Sequence, residues 1–198
     1  MRVILASASP RRADLLTAAG YTFEVLPVDV DESVRPGEGP SAYVRRLAAM
    51  KSAQALAQVQ AYAGHDSEQE VVVLGADTAV VVDDEILGKP RDDAEARLMI
   101  EQLSGRAHRV LTGLSVRTGA DEAGGVETTT VWFARLAAQE IEWYVRSGEG
   151  RDKAGAYAIQ GLASRFIQQI EGSYSNVVGL PVAAVHELFR ALPAPKSR

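Results

Sequence analysis

Charged residues that could act on a phosphate group recur where this chain is expected to end strands, begin helices or turn at glycines. The cations are Arg11, Arg12, Lys51, Lys89 and Lys153, and the carboxylates are Glu32, Asp77 and Asp152. In phosphoryl chemistry, carboxylates hold a divalent metal ion and orient water, while lysine and arginine neutralise the phosphate oxygens. These residue types therefore indicate chemistry on a phosphorylated small molecule.

The stretch from Val71 to Val82 reads VVVLGADTAVVV, with two apolar runs on either side of Gly75 to Thr78. Such β-branched runs predict buried strands, and we expect Asp77 to lie where the first strand ends. A carboxylate in this apolar setting is costly unless a cation meets it, which predicts a buried partner or a bound metal ion. The alternative is a structural Asp77 that caps a turn after Gly75.

The first strand–helix junction is a candidate anion site. Arg2 to Ser7 predicts a strand, and Ser9-Pro10 predicts the start of a helix that ends at Gly20. Free amide groups at such a helix start, beside Arg11 and Arg12, suit an anion. Alternatively, the two arginines form ordinary surface ion pairs.

An acidic loop and a long helix follow a second predicted strand at 21–28. In the loop at 29–40, the residues Asp29, Asp31 and Glu32 could help to hold a hard cation, or the loop could simply be solvated. The helix is predicted from Ser41 to about Ala63, and Lys51 lies one turn beyond Leu47, close to its buried face. An isolated lysine at this position would normally extend to solvent.

The remaining elements alternate irregularly between strands and helices. We predict a hairpin at Asp83-Asp84, a helix at 92–104 and strands at 106–117 and 126–136, with a mobile loop at 119–125 between the last two. A helix at 138–147, a strand at 164–171 and a helix at 182–192 complete the chain, and residues 193–198 should be frayed. This order predicts a mixed α/β fold on a curved sheet, with residues 1–198 forming one domain.

Composition excludes several classes of protein. A net charge of −5, from 21 basic and 26 acidic residues, disfavours a nucleic-acid surface. The chain has no cysteine, its apolar runs are far shorter than a membrane span, and its three histidines lack zinc-site spacing. The glycine-rich stretch at 148–161 matches neither GxGxxG nor a P-loop. We therefore expect a cytoplasmic protein without nucleic-acid or membrane partners.

The candidate residues lie within six short strings of the sequence. These are SASPRR at 7–12, GADT at 75–78, GKPRD at 88–92, LSGRAHRVLTGL at 103–114, DKAGAYAIQG at 152–161 and GSYSNVVGLP at 172–181. In this order, over nearly the whole chain, they resemble the Maf family of nucleoside triphosphate pyrophosphatases. The resemblance implies an elongated mixed sheet like that of the inosine triphosphate pyrophosphatases, flanked by helices, with a central cleft between two lobes.

The resemblance also implies an activity and its residues. Maf proteins hydrolyse a nucleoside triphosphate to the monophosphate and pyrophosphate with a divalent metal cation, Mg²⁺ or Mn²⁺. Asp77 matches the proton acceptor, and it could instead hold the metal ion together with Glu32. The positions that match residues around the triphosphate are Ser7, Arg12, Lys51 and Lys89.

Three further positions separate branches of the family. Arg11, Thr78 and Gln160 match the branch that acts on dTTP and UTP, whereas the 7-methyl-GTP branch typically carries Trp, Gln and Glu there. A 7-methyl-GTP pyrophosphatase, or a nucleotide-binding regulator of cell division without catalysis, is the alternative. The preferred metal, the physiological nucleotide and the existence of a homodimer stay open.

Overall fold

The computed structural model describes residues 2–62, 71–119 and 121–192, which form a mixed α/β fold, as predicted. The strands are β1 (Arg2–Ala6), β2 (Glu24–Val25), β3 (Val71–Val82), β4 (Glu85–Leu87), β5 (Ala107–Thr118), β6 (Asp121–Phe133) and β7 (Ile167–Glu171). The helices are α1 (Pro10–Ala18), α2 (Pro40–Tyr62), α3 (Asp93–Leu103), α4 (Ala138–Ser147), α5 (Tyr174–Val178) and α6 (Val182–Arg190). All seven strands belong to one open sheet in the order β2-β1-β3-β5-β6-β7, with β4 paired to β3.

The chain divides into two compact units. The first comprises residues 1–77, 112–127 and 179–198, and the second comprises 78–111 and 128–178. The predicted cleft between two lobes and the single-domain organisation stay predictions.

In the first unit, β1 pairs in parallel with both β2 and β3, and Leu5 lies opposite Leu74. Alternate residues of a strand face opposite sides of the sheet. Leu5, Leu74 and Ala76 accordingly belong to one buried cluster. Ile4 and Val73 belong to another, together with Ala55 of α2. The odd-numbered residues of β3 thus face α2.

Two glycines allow α2 to lie directly on the sheet. The buried residues of this helix follow helical spacing, and they are Val44, Leu47, Ala48, Lys51, Ser52, Ala55 and Leu56. A Cβ atom added at Gly75 would lie 2.2 Å from the Ala48 carbonyl oxygen. One added at Gly113 would lie 2.2 Å from the Val44 carbonyl oxygen. Helix and sheet backbones touch at both positions because neither residue has a side chain.

The second unit contains two antiparallel pairings. β3 turns at Asp83-Asp84 into β4, as predicted, and β6 pairs with β7. Asp92 caps α3 by accepting a hydrogen bond from the Glu95 amide at 2.8 Å. The Glu95 carboxylate binds the Arg91 amide instead of the cap residue. The sequence Asp92-Asp93-Ala94-Glu95 resembles a capping box, and only its Asp92 half is formed.

Several predicted boundaries are wrong. β3 is continuous through Gly75 to Thr78, so that Asp77 lies inside a twelve-residue strand and does not follow its end. β2 has only two residues, and Ser9 makes no side-chain hydrogen bond at the start of α1. Residues 121–125, predicted as a mobile loop, belong to β6.

Two further differences concern short helices, and two predictions cannot be compared. A 3₁₀ helix at Leu162–Phe166 precedes β7, and α5 occupies part of the predicted loop before α6. The predicted frayed tail at 193–198 and the polar connection at 64–69 lie outside the described residues. Within the described ranges, no helix is both long and apolar enough to cross a bilayer.

Candidate active site

Lys51 lies between two carboxylates in the first unit. Its Nζ atom donates to Asp77 Oδ1 at 2.6 Å and to Glu32 Oε1 at 2.7 Å. The side chains of Lys51 and Asp77 are only 11% and 10% exposed, whereas that of Glu32 is 52% exposed. The structure thus brings together three predicted site residues, and the lysine does not extend to solvent as an isolated lysine would.

The sheet and α2 place this pair by simple periodicity. Asp77 follows Val73 and Gly75 on the face of β3 that meets α2. Lys51 lies on the buried stripe of α2, three residues after Ala48. The close approach at Gly75 therefore brings the Lys51 ammonium within reach of the Asp77 carboxylate.

The electrostatic environment of Asp77 contains opposing contributions. Burial raises the pKa of Asp77 above its ordinary value, and the charges of Lys51 and Arg12 oppose this rise. The more distant Glu32 carboxylate raises the pKa further. A carboxyl group held in this way is a suitable proton acceptor, because its proton affinity exceeds that of a solvated aspartate.

Arg12 is buried at the start of α1 and holds three elements together. Its guanidinium donates to the Ser7 hydroxyl at 3.0 Å, to the Ala76 carbonyl at 2.9 Å and to the Gly179 carbonyl at 2.9 Å. Burial lowers the pKa of Arg12, whereas the charge of Asp77 raises it. Ser7 is also buried and accepts a hydrogen bond from the Ser9 amide. Arg12 thus contacts the carbonyl group that immediately precedes Asp77.

The remaining predicted residues are more accessible to solvent. Arg11, on α1 in the first unit, is half-buried. Thr78, Lys89 and Gln160 belong to the second unit, where Thr78 is half-buried on β3 and the other two are exposed. The segments that carry Lys89 and Gln160 are joined, because the Gly155 amide donates to the Gly88 carbonyl at 3.0 Å.

Two of the charged residues form a local pair. Lys153 Nζ donates to Asp152 Oδ1 at 2.5 Å, and the Asp152 side chain is 74% exposed. The Lys153 side chain is only 16% exposed, so the carboxylate is the solvent-facing half of this pair. This pair belongs to the second unit, whereas Glu32, Lys51 and Asp77 belong to the first.

Comparison with known proteins places these residues in a family. The model of the Maf family, described as Maf-like protein, matches residues 2–192. The chain belongs to the Maf family. A relative from Anaeromyxobacter dehalogenans strain 2CP-C, named dTTP/UTP pyrophosphatase, is 50% identical over 193 residues, covering 96% of this chain and 93% of that protein.

Relatives from distant bacteria carry the same name. A dTTP/UTP pyrophosphatase from Vibrio cholerae is 48% identical over 188 residues, which cover 95% of this chain and 96% of that protein. A third relative of this name, from Symbiobacterium thermophilum, is 49% identical over 181 residues, which cover 91% of this chain and 89% of that protein. The resemblance seen in the sequence motifs is therefore confirmed at the level of the family.

For a Maf protein, the question of a metal ion depends on Asp77 and Glu32. Among the residues that the structure describes, no group of three or more histidine, aspartate or glutamate residues could hold a metal ion. Mg²⁺ in phosphate-handling sites needs fewer protein ligands, because one or two carboxylates suffice when substrate phosphates and water complete the octahedron. Glu32 and Asp77 already converge on one cation, the Lys51 ammonium. Two hard carboxylate ligands that share a cation fit such a metal.

Sequence reasoning missed the residues that hold the Glu32 loop. The Tyr43 hydroxyl of α2 donates to the Glu32 carbonyl at 2.9 Å. Arg46, one turn later, donates to the Ser33 carbonyl and forms a two-point ion pair with Glu38. The hydrogen bonds from Arg46 lower the pKa of Glu38 to about 2.

A local signal for this arrangement was present. Tyr43 and Arg46 are three residues apart on the helix that carries Lys51, and so they share one side of it. A helix with a polar side next to an acidic loop predicts contacts between the two. The 29–40 loop is thus fixed to α2. That it carries a functional carboxylate, Glu32, stays a prediction.

Proposed function

We propose that this Maf protein is a nucleoside triphosphate pyrophosphatase that hydrolyses dTTP and UTP to the monophosphate and pyrophosphate. The observation that carries the proposal is the buried Lys51 ammonium held between Asp77 and Glu32. A scaffold gains little from the buried Lys51 and Asp77 pair, since apolar residues of similar volume would be equally stable. Relatives at 48–50% identity bear the name of this activity.

Asp77 is the proposed proton acceptor. Its raised pKa keeps it more basic than a solvated aspartate, and the neighbouring Lys51 stabilises its ionised form. A water molecule held by Asp77 would lose its proton to the carboxylate as its oxygen attacks the α-phosphorus, and pyrophosphate would leave as the bond from the α-phosphorus to the bridging oxygen breaks. Lys51 would then offset charge on the phosphate oxygens.

Ser7, Arg12 and Lys89 are proposed to bind the triphosphate. Ser7 and Arg12 are joined by a hydrogen bond beside the start of α1, where helix amides favour an anion. Lys89 is exposed in a turn, where a flexible ammonium can follow a phosphate group.

Glu32 and Asp77 are the proposed ligands of a divalent cation, Mg²⁺ or Mn²⁺. When bound, this ion neutralises phosphate oxygens and lowers the pKa of coordinated water. Tyr43 and Arg46 fix the loop that carries Glu32, which keeps the carboxylate near the position of Asp77 before any ligand arrives.

Arg11, Thr78 and Gln160 are proposed to recognise the base. A uracil or thymine edge presents two carbonyl oxygens and a ring N–H, which a guanidinium, a hydroxyl and a carboxamide can satisfy together. A 7-methylguanine ring is positively charged and favours an aromatic face and a carboxylate. The cytoplasmic location stays a prediction from the sequence, and the existence of a homodimer stays open.

The proposal is tested by measuring pyrophosphate release from dTTP and UTP with Mg²⁺ or Mn²⁺. Asp77→Asn, which preserves shape, should lower kcat by at least about a hundredfold because the base and a metal ligand are lost. Asp84→Asn is the matched control, because Asp84 is exposed in the β3–β4 turn and pairs with Arg109. Folded Asp77→Asn with wild-type turnover would make Asp77 structural. Nucleotide binding by calorimetry without any hydrolysis would favour the regulator instead.

A further inference from the structure

The loop that carries Gln160 is closed at both ends by one carboxylate of the second unit. Glu149 Oε2 accepts a hydrogen bond from the Leu162 amide at 2.7 Å, and Oε1 accepts one from the Ala163 amide at 3.3 Å. These amides begin the 3₁₀ helix that follows Gln160. The carboxylate at the start of the loop thus also fixes its end.

Tyr144 orients this carboxylate from the interior. Its hydroxyl, on a side chain that is 1% exposed, donates to Glu149 Oε1 at 3.0 Å. The ring of Tyr144 packs edge-on against Phe166, with 5.7 Å between centroids. We call Tyr144 and Glu149 the loop clasp.

The clasp explains why a glycine follows Gln160. A Cβ atom added at Gly161 would lie 2.0 Å from Glu149 Oε2, so a side chain there would displace the carboxylate. Gly150 likewise leaves no room for a side chain, because a Cβ atom added there would lie 2.0 Å from the Ala156 carbonyl oxygen. Both glycines thus serve the closure of the loop.

The middle of the loop is also anchored. The Tyr157 hydroxyl contacts His108 Nε2 at 2.7 Å, inside a cluster of edge-on rings completed by Phe133. Gly155 and Ala156 have left-handed backbone conformations, with φ of +66° and +57°. A non-glycine residue in this conformation persists only where its surroundings enforce it. The loop is therefore fixed, while Gln160 remains exposed on it.

We propose that the loop clasp positions Gln160 for reading the base, so that Tyr144 and Glu149 determine nucleotide preference without touching the nucleotide. This inference rests on the proposed function, in which Gln160 pairs with the pyrimidine edge. An exposed carboxamide distinguishes bases only when its backbone is held, because a mobile one can adapt to either pattern of donors and acceptors.

The test compares kcat/KM for dTTP with kcat/KM for GTP in folded variants. Glu149→Gln replaces one accepting oxygen with an amide NH₂ group, so at least one of the three hydrogen bonds that Glu149 accepts is lost. The dTTP:GTP ratio should fall by about tenfold, mainly through a higher KM for dTTP. Tyr144→Phe, which keeps the ring packing, should lower the ratio in the same direction and serves if Glu149→Gln does not fold.

Glu140→Gln is the matched control. Glu140 also accepts a hydrogen bond from a backbone amide, that of Ala137, but near the start of α4, about 10 Å by helical rise from Ser147 at the end of the helix that precedes Glu149. The dTTP:GTP ratio of kcat/KM in Glu140→Gln should equal that of the wild type. Hydrogen exchange should be faster at the Leu162 and Ala163 amides in Glu149→Gln than in the control, independently of activity.

A double-mutant cycle separates positioning from other effects. In a Gln160→Ala background, Glu149→Gln should change the ratio by less than about twofold, because the residue through which it acts is absent. An unchanged ratio in both clasp variants, or an equal fall with and without Gln160, would overturn the clasp proposal. If Gln160→Ala itself leaves the ratio unchanged, Gln160 does not read the base and the clasp proposal falls, while hydrolysis of dTTP stands. A wild type that does not favour dTTP would overturn both.

Discussion

Replacing Lys51 by methionine should destabilise the metal-free protein by an amount that depends on pH. Methionine keeps the apolar stem of the side chain and removes its charge. Removing one partner of a buried ion pair costs about 3–5 kcal/mol, because the remaining charge is left without compensation. The contact with Asp77 is of this kind, since both side chains are about one-tenth exposed.

The contact with Glu32 should add little. Its carboxylate is half exposed and regains water when the ammonium is lost, which limits the contribution to about 1 kcal/mol or less. Arg12 remains near Asp77 and offsets part of the loss. We therefore expect a loss of about 3 kcal/mol at pH 8, equivalent to a fall in Tm of roughly 6–12 °C for a chain of this size.

The direction of the pH dependence follows from Asp77. Burial already raises its pKa in the folded protein, and loss of Lys51 should raise it further. A carboxyl group with a raised folded pKa favours the folded state when protonated, and this contribution is lost as the pH rises through the folded pKa. The deficit of Lys51→Met relative to the wild type should therefore be smaller at pH 5 than at pH 8.

Urea denaturation in EDTA at both pH values measures this difference. Lys153→Met is the matched control, because the Lys153 side chain is 16% exposed, much like that of Lys51, whereas its partner Asp152 is 74% exposed and regains water when the ammonium is lost. Its cost should be less than about 1 kcal/mol at either pH. The double variant Lys51→Met/Asp77→Asn should recover part of the loss, since it leaves no uncompensated charge. Equal deficits at pH 5 and pH 8, or no recovery in the double variant, would refute this account of the pair.

Three other predictions concern phosphate binding, base choice and acid stability. Lys89→Ala should raise KM or lower kcat without changing Tm. Arg12→Ala should also lower Tm by several degrees, because the buried Arg12 holds three elements together. Equal changes in Tm for the two variants would contradict this prediction. The ratio of activities on dTTP and 7-methyl-GTP should shift toward 7-methyl-GTP in the triple variant Arg11→Trp, Thr78→Gln and Gln160→Glu; an unchanged ranking in a folded, active variant would remove these side chains from base recognition. Burial lowers the pKa of His108 from 6.5 to about 4, so the folded protein binds this proton less readily than the unfolded chain. The free energy of unfolding should therefore be highest above pH 6.5 and fall by roughly 3 kcal/mol as the pH drops through 4. His108→Gln should reduce this acid sensitivity in urea denaturation, while the exposed His186→Gln should leave it as in the wild type.

Local sequence patterns predicted most of the elements and the need of Asp77 for a cationic partner or a metal ion. The buried stripe of α2 placed Lys51 near the sheet, and the apolar surroundings of Asp77 required a cation, so the contact between the two fulfils an expectation from burial alone. The prediction that Asp77 lies at the end of its strand was wrong. Glycine and threonine predicted a break, but the strand continues because α2 covers Gly75 and Lys51 compensates the carboxylate.

Long-range contacts decided what local patterns could not. Arg12 binds the carbonyl of Gly179, which is 167 residues away, and no local signal predicts that it is buried. Residues 121–125 looked like a loop because of their glycines and charges. They form part of β6, which pairs with β5, and Glu122 also accepts hydrogen bonds from Arg45 and Ser115. The clasp at Glu149 is similarly invisible, since one glutamate in a polar stretch carries no local signal.

Gly75 and Gly113 have a consequence for how this protein can change over time. Adding one methyl group at either position would force α2 and the sheet apart by roughly 1 Å, the difference between 2.2 Å and an ordinary contact of 3.4 Å. Lys51 would move with its helix, and a contact of 2.6 Å to Asp77 would not survive the displacement. A mutational scan scored by hydrolysis should therefore rank both glycines among the least replaceable positions, although neither carries a group that could take part in a reaction. Nucleotide preference can be altered at exposed positions such as Gln160, but the spacing between helix and sheet leaves no room for gradual change.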